Sequence, residues 1–346
     1  MKLLILTQKV DKDDPILGFF HYWLKEFAKH FSQVTVVCLY KGEYDLPANV
    51  RVLSLGKESG VSRIKYVFRF YKYIWQYRRE YENVFVHMNQ EYVLLGGIFW
   101  KILNKKIILW RNHPTGNGTT KIAVSLADLV YCTSKESFTA RFKKTKIMPV
   151  GIDTSLFFRD KNIQKLPKSI LFLSRIAPIK NPDILLAALA ILKNRNIDFK
   201  ASFFGDPLKQ DLDFYQQLKN QTISLGLENM AQWLPAVSNW QTPRIYNQFE
   251  VFVNLTPAGS MDKTIFEAMA CQAFILTSNP SLADALPENF RINYKDSDDL
   301  ADKLATVLSL SYNELENYGQ KFREYVIKNH SLDLLIKKIK TDLKNL

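Results

Sequence analysis

The chain has 346 residues and a formal net charge of +13, with 47% hydrophobic and 23% charged residues. One hydrophobic core rarely grows to this length, so we expect two domains, and the composition excludes a disordered or fibrous chain. No apolar run approaches the ~18 residues of a membrane-spanning helix. The first residues lack a signal-peptide pattern and the three cysteines lie far apart. We therefore expect a cytoplasmic protein without disulfides or a zinc cluster.

The positive charge is concentrated in the first half of the chain. Residues 1–155 carry 24 lysines and arginines against 13 acids, a net +11, whereas residues 156–346 carry 23 against 21, a net +2. Such asymmetry favours a polyanionic partner for the first half. Nucleic acid and an anionic membrane surface are the two candidates.

Short apolar runs alternate with helical patterns in the first half. Continuous apolar runs are typical of parallel strands that are buried on both faces. Such runs predict strands at Lys2–Thr7, Val34–Leu39, Asn83–His87, Lys106–Trp110 and Leu129–Thr133. Between the first two strands, the spacing of Trp23 and Phe27 predicts a helix over His21–Phe31.

A polar linker, 156–168, separates this series from a second one. Its strands are predicted at Ser169–Ser174, Phe199–Phe204, Val251–Leu255 and Ala273–Thr277. Its helices are predicted at Asp183–Lys193, Met261–Cys271, Ser297–Leu308 and Ser331–Leu346. This alternation predicts two doubly wound, Rossmann-like parallel-sheet domains, 1–155 and 169–346, facing a central cleft, with the final helices able to pack back on the first domain. Ligands bind such domains at the carboxyl ends of the strands.

Two cations follow the first strand of the second domain. Arg175 and Lys180 are five residues apart, and Asn181 and Pro182 suit a helix cap and a first helical residue. A planar donor and a point charge beside a helix N-terminus suit a diphosphate. Two solvated loop cations would give the same pattern, so the spacing alone leaves both interpretations open.

Two further loops follow predicted strands. Gly205 ends one strand and permits close backbone approach, although Gly-Asp-Pro by itself indicates only a turn. The segment Thr256–Ala270 leaves another strand through a Gly/Ser turn and enters a helix, where backbone N–H groups could hold a negative oxygen. Its candidate ligand-binding residues are Gly259, Ser260, Asp262, Lys263 and Glu267. Asp262 is a predicted N-cap, and Glu267 could either accept two hydrogen bonds from a ribose diol or complement the helix dipole.

These segments, in this order, resemble the C-terminal domain of the family 4 retaining glycosyltransferases with the GT-B fold. Met148–Asp153 also resembles that family's junction between domains. The resemblance implies that Arg175 and Lys180 hold the donor diphosphate and that Glu267 binds the ribose hydroxyls. The family usually has a glutamate at the position of Gly259, eight residues before Glu267, so Asp262 or Ser260 would replace it in contacting the donor sugar.

The same resemblance suggests residues in the first domain. Gly18, between the first strand and the first helix, resembles the family's glycine loop, which approaches the donor phosphate and the acceptor. His113, after a predicted strand, resembles the family's active-site histidine near the donor sugar. His87, at another strand end, is a weaker candidate on the acceptor side. Closure of the two domains would bring His113 and Gly18 over the donor, which Arg175, Lys180 and Glu267 would hold.

Acidic pairs raise the question of a metal. Asp211 and Asp213, and likewise Asp296 and Asp298, mimic an Asp-x-Asp metal motif, but both pairs precede predicted helices, where capping explains them. The cationic side chains already supply the charge that a metal would bring. We therefore expect no metal and no cofactor, the nucleotide sugar being a substrate.

The segment Arg63–Tyr81 accounts for much of the basic charge. Its apolar residues Ile64, Val67, Phe68, Tyr71, Ile74 and Trp75 fall on one helical face. Packing on the sheet is the interpretation that we favour for this face. Its cations, Lys65, Arg69 and Lys72 among them, could still bind anionic lipid or an acceptor at the inner face of a membrane.

The sequence thus predicts a retaining hexosyltransferase that moves a sugar from a nucleotide-diphosphate sugar, UDP-linked, to a glycan or lipid-linked acceptor in cell-surface polysaccharide synthesis. The cations would neutralise the departing diphosphate as an oxocarbenium-like sugar forms. A nucleotide-sugar epimerase or a phosphorylase on the same fold is the alternative. A non-catalytic nucleic-acid-binding module would explain the charge of +13 but not the motifs of the neutral second half.

Overall fold

The computed structural model of the chain describes residues 1–257, 261–282 and 285–346. The strands of the first sheet are β1 (Lys2–Val10), β2 (Gln33–Lys41), β3 (Val50–Ser54), β4 (Asn83–His87), β5 (Lys106–Trp110), β6 (Leu129–Cys132) and β7 (Thr145–Ile147). The strands of the second sheet are β8 (Leu166–Leu173), β9 (Lys200–Phe204), β10 (Ala231–Leu234), β11 (Phe249–Asn254) and β12 (Phe274–Thr277). The helices that follow the first-sheet strands are α1 (Phe19–His30), α2 (Arg63–Gln76), α3 (Glu91–Ile102) and α4 (Gly118–Leu126). The remaining helices are α5 (Pro182–Asn194), α6 (Leu212–Ser224), α7 (Thr242–Gln248), α8 (Lys263–Ala270), α9 (Ser297–Leu308), α10 (Tyr312–His330) and α11 (Leu332–Lys344).

Both sheets are parallel and doubly wound, which confirms the predicted fold class. The strand order is β3-β2-β1-β4-β5-β6-β7 in the first sheet and β10-β9-β8-β11-β12 in the second. The order reverses between β1 and β4 and again between β8 and β11. Loops diverge at such a reversal and leave a crevice at the carboxyl ends of the strands. Each domain therefore offers one crevice for a ligand.

Fully buried strands were the easiest elements to predict. The predicted bounds of β4 and β5 match the structure residue for residue, because every side chain of β4 is buried and a doubly covered strand reads as one apolar run. Strand β8 begins at Leu166, inside the stretch 156–168 predicted as linker. Helix α2 ends at Gln76, before the predicted Tyr81, because the chain turns back there and the buried Tyr81 hydroxyl donates to the carbonyl of Ile74 (2.9 Å).

The chain crosses between the domains at two places that lie side by side. After β7 it passes through Gly151 and Ile152, and it returns at His330, where the carbonyl accepts both the Gly151 N–H (3.0 Å) and the Ile152 N–H (2.9 Å). Gly151 has φ +77°, and a Cβ there would lie 2.5 Å from Leu335 Cδ2 and 2.7 Å from Trp23 Cζ2. A side chain at this position would push the two crossings apart.

The last helix belongs to the core of the first domain. The apolar side chains of α11 pack in one cluster with Trp23, Leu24 and Phe27 of α1, and they are Leu332, Leu335, Ile336, Ile339 and Leu343. The Tyr131 hydroxyl also donates to Asp342 of this helix (2.8 Å). In the described part of the chain, no helix combines the length and the apolar character needed to cross a bilayer.

Candidate active site

A cavity of about 540 Å³ opens between the two crevices. Pro15, Ile16 and Phe19, which follow β1, line it together with residues at the ends of β4, β5 and β6. From the second domain it is lined by the loops after β8, β9, β10 and β11. This volume falls within the range of small-molecule sites, roughly 300–1,000 Å³. The predicted residues that line it are His87 in the first domain and Arg175, Lys180, Gly205, Asp262, Lys263 and Glu267 in the second.

Lys180 and Asp262 form an ion pair at the edge of this cavity. The Lys180 ammonium lies 2.6 Å from Asp262 Oδ2 and 3.1 Å from the Thr256 hydroxyl. Burial by itself would raise the pKa of the Asp262 carboxyl, but the Lys180 ammonium and its hydrogen bond hold that pKa well below the ordinary value. Asp262 is therefore an anion at neutral pH, and Lys180 is a cation with a partner in the protein.

The carboxylate of Asp262 is fully engaged. Its Oδ1 accepts the Thr264 N–H (3.2 Å), which caps α8 as predicted, and also the Thr264 hydroxyl (2.9 Å). Its Oδ2 also accepts from Thr256 Oγ1 (3.0 Å) and Asn254 Nδ2 (3.3 Å). A carboxylate oxygen has about two lone pairs, so these bonds and that of Lys180 saturate the group. Asp262 thus has no acceptor left for a donor-sugar hydroxyl, and the geometry does not support it as the replacement for the missing family glutamate.

Arg175 differs from Lys180 in having no partner among the described residues. Its side chain is exposed on the loop after β8, and no ion pair or hydrogen bond ties it to the residues that the structure describes. The predicted cap, Asn181, is in the left-handed conformation (φ +51°) and makes no cap bond. Its amide donates instead to the carbonyl of Leu255 (2.8 Å), which joins the Lys180 loop to the end of β11. Asn181 thus occupies the predicted cap position before Pro182, which begins α5, but its side chain does not make the expected cap bond.

Gly205 is required by the protein's own backbone. Its φ is +151°, and a Cβ there would lie 1.9 Å from the carbonyl oxygen of Ser174. The loops after β8 and β9 are further joined by the Ser174 N–H, which donates to Phe204 O (3.0 Å). Gly205 lines the cavity, but its missing side chain makes room for the loop that presents Arg175.

Glu267 is buried deep in the cavity wall, with 4% of its surface exposed. Its oxygens accept from Asn239 Nδ2 (3.2 Å) and the Tyr246 hydroxyl (3.3 Å). Burial raises the pKa of this carboxyl, although the ammonium of Lys263 favours its ionised form. Because each oxygen has one partner among the described residues, each keeps one lone pair for a further donor. Two neighbouring hydroxyls of a ligand would fit this pair of acceptors.

Asn239 is a cavity residue that sequence reasoning did not predict. It lies in the loop after β10, lines the cavity, and its Oδ1 is buried with no hydrogen-bond partner among the described residues. A buried polar atom without a partner is costly, and here it faces a space that a ligand can fill. Thr133, on the opposite wall, has an equally unpartnered Oγ1. The Ser-x-x-Gln capping box at Ser238 was the available signal for the loop, but it indicates a turn and not a ligand.

Lys263 joins the two domains. Its ammonium donates to the carbonyls of Val150 (2.6 Å) and Gly151 (3.3 Å) and lies over the rings of Phe19 (4.5 Å) and Trp23 (4.4 Å). Burial lowers the pKa of this lysine, and the carboxylate of Glu267 opposes that shift. Lys263, at the start of α8 in the second domain, therefore contacts both the crossing at Gly151 and helix α1 of the first domain.

We expect Lys263→Met to lower the free energy of unfolding by about 3 kcal/mol, because methionine cannot donate to the buried carbonyls of Val150 and Gly151. Urea unfolding followed by circular dichroism would measure the loss. Lys200→Met is the matched control, since Lys200 also donates to one carbonyl, that of Asn229, at an exposed site. A loss below 1 kcal/mol would contradict this role of Lys263.

The wall formed by the first domain contains His87 and not His113. His87 is 2% exposed, stacks on Phe20 (4.1 Å between ring centroids) and bonds through Nδ1 to the Thr7 hydroxyl (3.3 Å). Burial and the charge of Lys263 lower its pKa to about 3, so it is neutral at physiological pH. His113 is exposed, and its Nδ1 contacts Thr115 of its own loop. The structure does not bring His113 to the cavity, and of the two histidines it favours the one predicted as weaker.

The other predicted residues lie elsewhere. Gly18 is not among the lining residues; a Cβ there would lie 2.5 Å from the carbonyl of Asp14, so the glycine serves the packing of its own loop. Gly259 and Ser260 lie outside the described residues. Asp296 caps α9 as predicted, accepting the Asp299 N–H (2.9 Å), whereas Asp211 makes no cap bond. Lys65, Arg69 and Lys72 lie on α2, away from the cavity.

Comparison with known proteins identifies a family match for the second half of the chain. A family model described as "Glycosyl transferases group 1" matches residues 153–329. D-inositol 3-phosphate glycosyltransferase of Saccharomonospora viridis is 26% identical over 144 residues, which are 39% of this chain and 33% of that protein. Spore coat protein SA of Bacillus subtilis is 25% identical over 172 residues, 45% of this chain and 46% of that protein. The chain thus matches less than half the length of these relatives.

A solved structure resembles the whole chain. Anabaena HepE, crystallised in complex with UDP and glucose, superposes with a TM-score of 0.79 at 19% identity, and the match covers 100% of both chains. A likeness at this identity shows the fold, which is the two-domain GT-B arrangement.

Proposed function

Because the chain belongs to the group 1 glycosyl transferases, we propose that it transfers a sugar from a nucleotide-diphosphate sugar, UDP-linked, to an acceptor in the cleft between its two domains. The observation that carries the proposal is the juxtaposition of Arg175 and Lys180 with the buried Glu267 on one cavity wall. Cations suit a diphosphate, and the two free lone pairs of Glu267 suit the adjacent hydroxyls of a ribose. The HepE structure, which holds UDP on the same fold, supports this choice of nucleotide.

The chemistry follows from where charge develops. As the bond between the sugar and the diphosphate lengthens, negative charge grows on the leaving oxygen, and a cation fixed beside it stabilises the transition state more than the ground state. Arg175 has no competing partner among the described residues, which supports this role for it. Lys180 supplies a second charge once it exchanges Asp262 for phosphate. We propose a metal-independent reaction because these side chains provide the charge that a metal would bring.

We further propose retention at the anomeric carbon and a cell-surface glycan or lipid-linked acceptor on the cytoplasmic side of the envelope. The resemblance of four motifs to the retaining family supports the stereochemistry. The surplus of +11 in residues 1–155 supports an acceptor that carries negative charge. The first-domain wall, with Ile16, Phe19, Met88 and Trp110, would receive the acceptor opposite the nucleotide.

A panel of nucleotides and nucleotide sugars, read out by thermal unfolding, tests the proposal. A ligand at 100 times its Kd stabilises a protein by ~2.7 kcal/mol, which raises the unfolding temperature measurably. We expect UDP and UDP-hexoses to stabilise the chain, and GDP, ADP and a short DNA duplex to leave it unchanged. In a second measurement, UDP release from the stabilising donor should rise when a suitable acceptor is added. Stabilisation by none of the nucleotides would contradict the proposal.

A further inference from the structure

Helix α2 does not bury the apolar face that its sequence suggests. Packing of that face on the sheet was the expectation, but Phe70 and Ile74 are the buried residues of the helix, and most of the predicted face points outward. Phe68 is 72% exposed, Ile64 69% and Trp75 55%. The expectation is wrong because the helix is apolar around most of its circumference, and the sheet covers only one part of it.

The exposed side chains of α2 continue onto α3. The Tyr71 hydroxyl donates to the carbonyl of Leu95 (2.9 Å), and the rings of Trp75 and Phe99 lie 5.9 Å apart. On α3, Ile98 is 64% exposed and Ile102 75%. The exposed apolar surface of the two helices, hereafter the α2–α3 face, consists mainly of Ile64, Phe68, Tyr71, Trp75, Ile98 and Ile102. Scattered single exposures are ordinary in proteins, whereas a contiguous apolar face marks an interaction surface.

The charges around this face are nearly all positive. Helix α2 carries four cations and no acid, and α3 adds one cation, Lys101, and one acid, Glu91. Lys65 and Lys72 are exposed, and the Arg78 guanidinium lies over the ring of Trp75 (4.1 Å). Arg69, which was predicted to bind lipid or an acceptor together with Lys65 and Lys72, is turned inward. There it donates to the carbonyl of Leu55 (3.0 Å). The basic rim of the face is therefore made by Lys65, Lys72 and Arg78, without Arg69.

We propose that the α2–α3 face docks on an anionic lipid bilayer. Apolar side chains flanked by cations, with tryptophan and tyrosine among them, match the layered chemistry of a bilayer surface, where acyl chains lie beneath anionic headgroups. A globular protein partner would also use aromatic side chains, but protein interfaces are depleted of lysine, whereas exposed lysines flank this face. The proposal concerns a surface separate from the cavity and holds whatever nucleotide binds there.

The position of the face sets the height of the cavity above the bilayer. Met88 lines the cavity and stands three residues before α3 begins at Glu91. A helix of twelve residues is about 18 Å long. A bilayer beneath Ile98 and Ile102 would therefore lie within about 20 Å of the cavity mouth. An acceptor anchored in that bilayer could reach the cavity without leaving the surface.

Vesicle flotation with the full chain tests this proposal. Vesicles of phosphatidylcholine alone are compared with vesicles containing 30 mol% phosphatidylglycerol, at low salt and in 0.5 M NaCl. We expect binding to the anionic vesicles only, weakened by salt because the charges at the rim are screened. Reversing two lysines, Lys65→Glu with Lys72→Glu, should weaken binding by about 30-fold or more, since each cation near an anionic surface contributes about fivefold.

An apolar variant, Phe68→Ser with Ile98→Ser, should weaken binding to the same vesicles by at least tenfold. Its matched control is Ile223→Ser with Ile327→Ser, two exposed isoleucines on α6 and α10. For the charge variant the control is Lys328→Glu with Lys344→Glu, which changes the net charge equally elsewhere. Both face variants should keep the wild-type thermal response to UDP, which separates this proposal from the proposed function. The proposal would be overturned if the chain bound neutral vesicles equally well or if the face variants bound like wild type. It would also be overturned if light scattering showed a dimer that these variants dissociate.

Discussion

Glu267→Gln is expected to weaken UDP binding by about 100-fold. The carboxylate has one free lone pair on each oxygen and lies in a buried wall, where hydrogen bonds to a charged group contribute about 1.5–3 kcal/mol each. Glutamine keeps the shape but has one acceptor oxygen and no charge. The expected loss is about 2.7 kcal/mol, which isothermal titration calorimetry would measure as a change in Kd.

A sugar-modified ligand separates ribose binding from a general loss of structure. Wild-type protein should bind 2′-deoxy-UDP much more weakly than UDP. Glu267→Gln should hardly distinguish the two ligands, because the hydrogen bond between the ribose 2′-hydroxyl and the carboxylate is already absent. Glu228→Gln, an exposed carboxylate in the same domain, is the matched control and should behave as wild type. A Glu267→Gln protein that binds UDP within threefold of wild type would exclude Glu267 from the ribose site.

Arg175→Ala is expected to lower kcat for UDP release by about 100- to 1,000-fold. This range is typical when one fixed donor to a developing negative charge is removed. Because the guanidinium is exposed and has no partner among the described residues, the free energy of unfolding should change by no more than about 0.5 kcal/mol. Steady-state release of UDP from a saturating donor, together with urea unfolding, would measure both quantities.

Lys180 needs a different design, because Lys180→Met alone would leave the buried carboxylate of Asp262 without its cation. The variant Lys180→Met with Asp262→Asn removes both charges and keeps a side chain that can cap α8. We expect this double variant to fold and to lose kcat to an extent similar to that of Arg175→Ala. Arg195→Ala, which removes an arginine paired with Asp302 on the surface, is the control for Arg175. If both site variants retained turnover within fivefold of wild type, the diphosphate would have to bind elsewhere.

The fold could be predicted from the sequence because its strands are covered on both sides. The runs Asn83–His87 and Lys106–Trp110 contain enough consecutive apolar residues to distinguish them from their surroundings. Helix α2 shows the limit of the same reasoning. Its periodicity indicates an apolar face, but periodicity carries no information about what covers that face. Of the predicted face only Ile74 is buried, together with Phe70 from outside it.

The site was harder to predict because its contacts join distant parts of the chain. Local rules made Asn181 a helix cap, yet its side chain bonds to Leu255, 74 residues away. Lys180 meets Asp262 across 82 residues, so a cation predicted for phosphate has a protein partner that spacing could not reveal. Arg175, Lys180 and Glu267, which the motif resemblance grouped together, line one cavity, and their roles there stay predictions. Asn239 and the inward position of His87 depend on packing and had no sequence signal of comparable strength.

The position of α11 has a consequence for cutting the protein into pieces. A fragment that stops at residue 155 would contain every strand of the first sheet but would lack the helix whose five apolar side chains cover α1. The apolar surface of α1 that this helix covers would then be exposed to water and would promote aggregation. A fragment carrying 156–346 would in turn display those same five side chains to water. Complementary halves should therefore be soluble only when they are produced together, and a circular permutant that joins α11 directly to β1 would be the better route to an autonomous amino-terminal lobe.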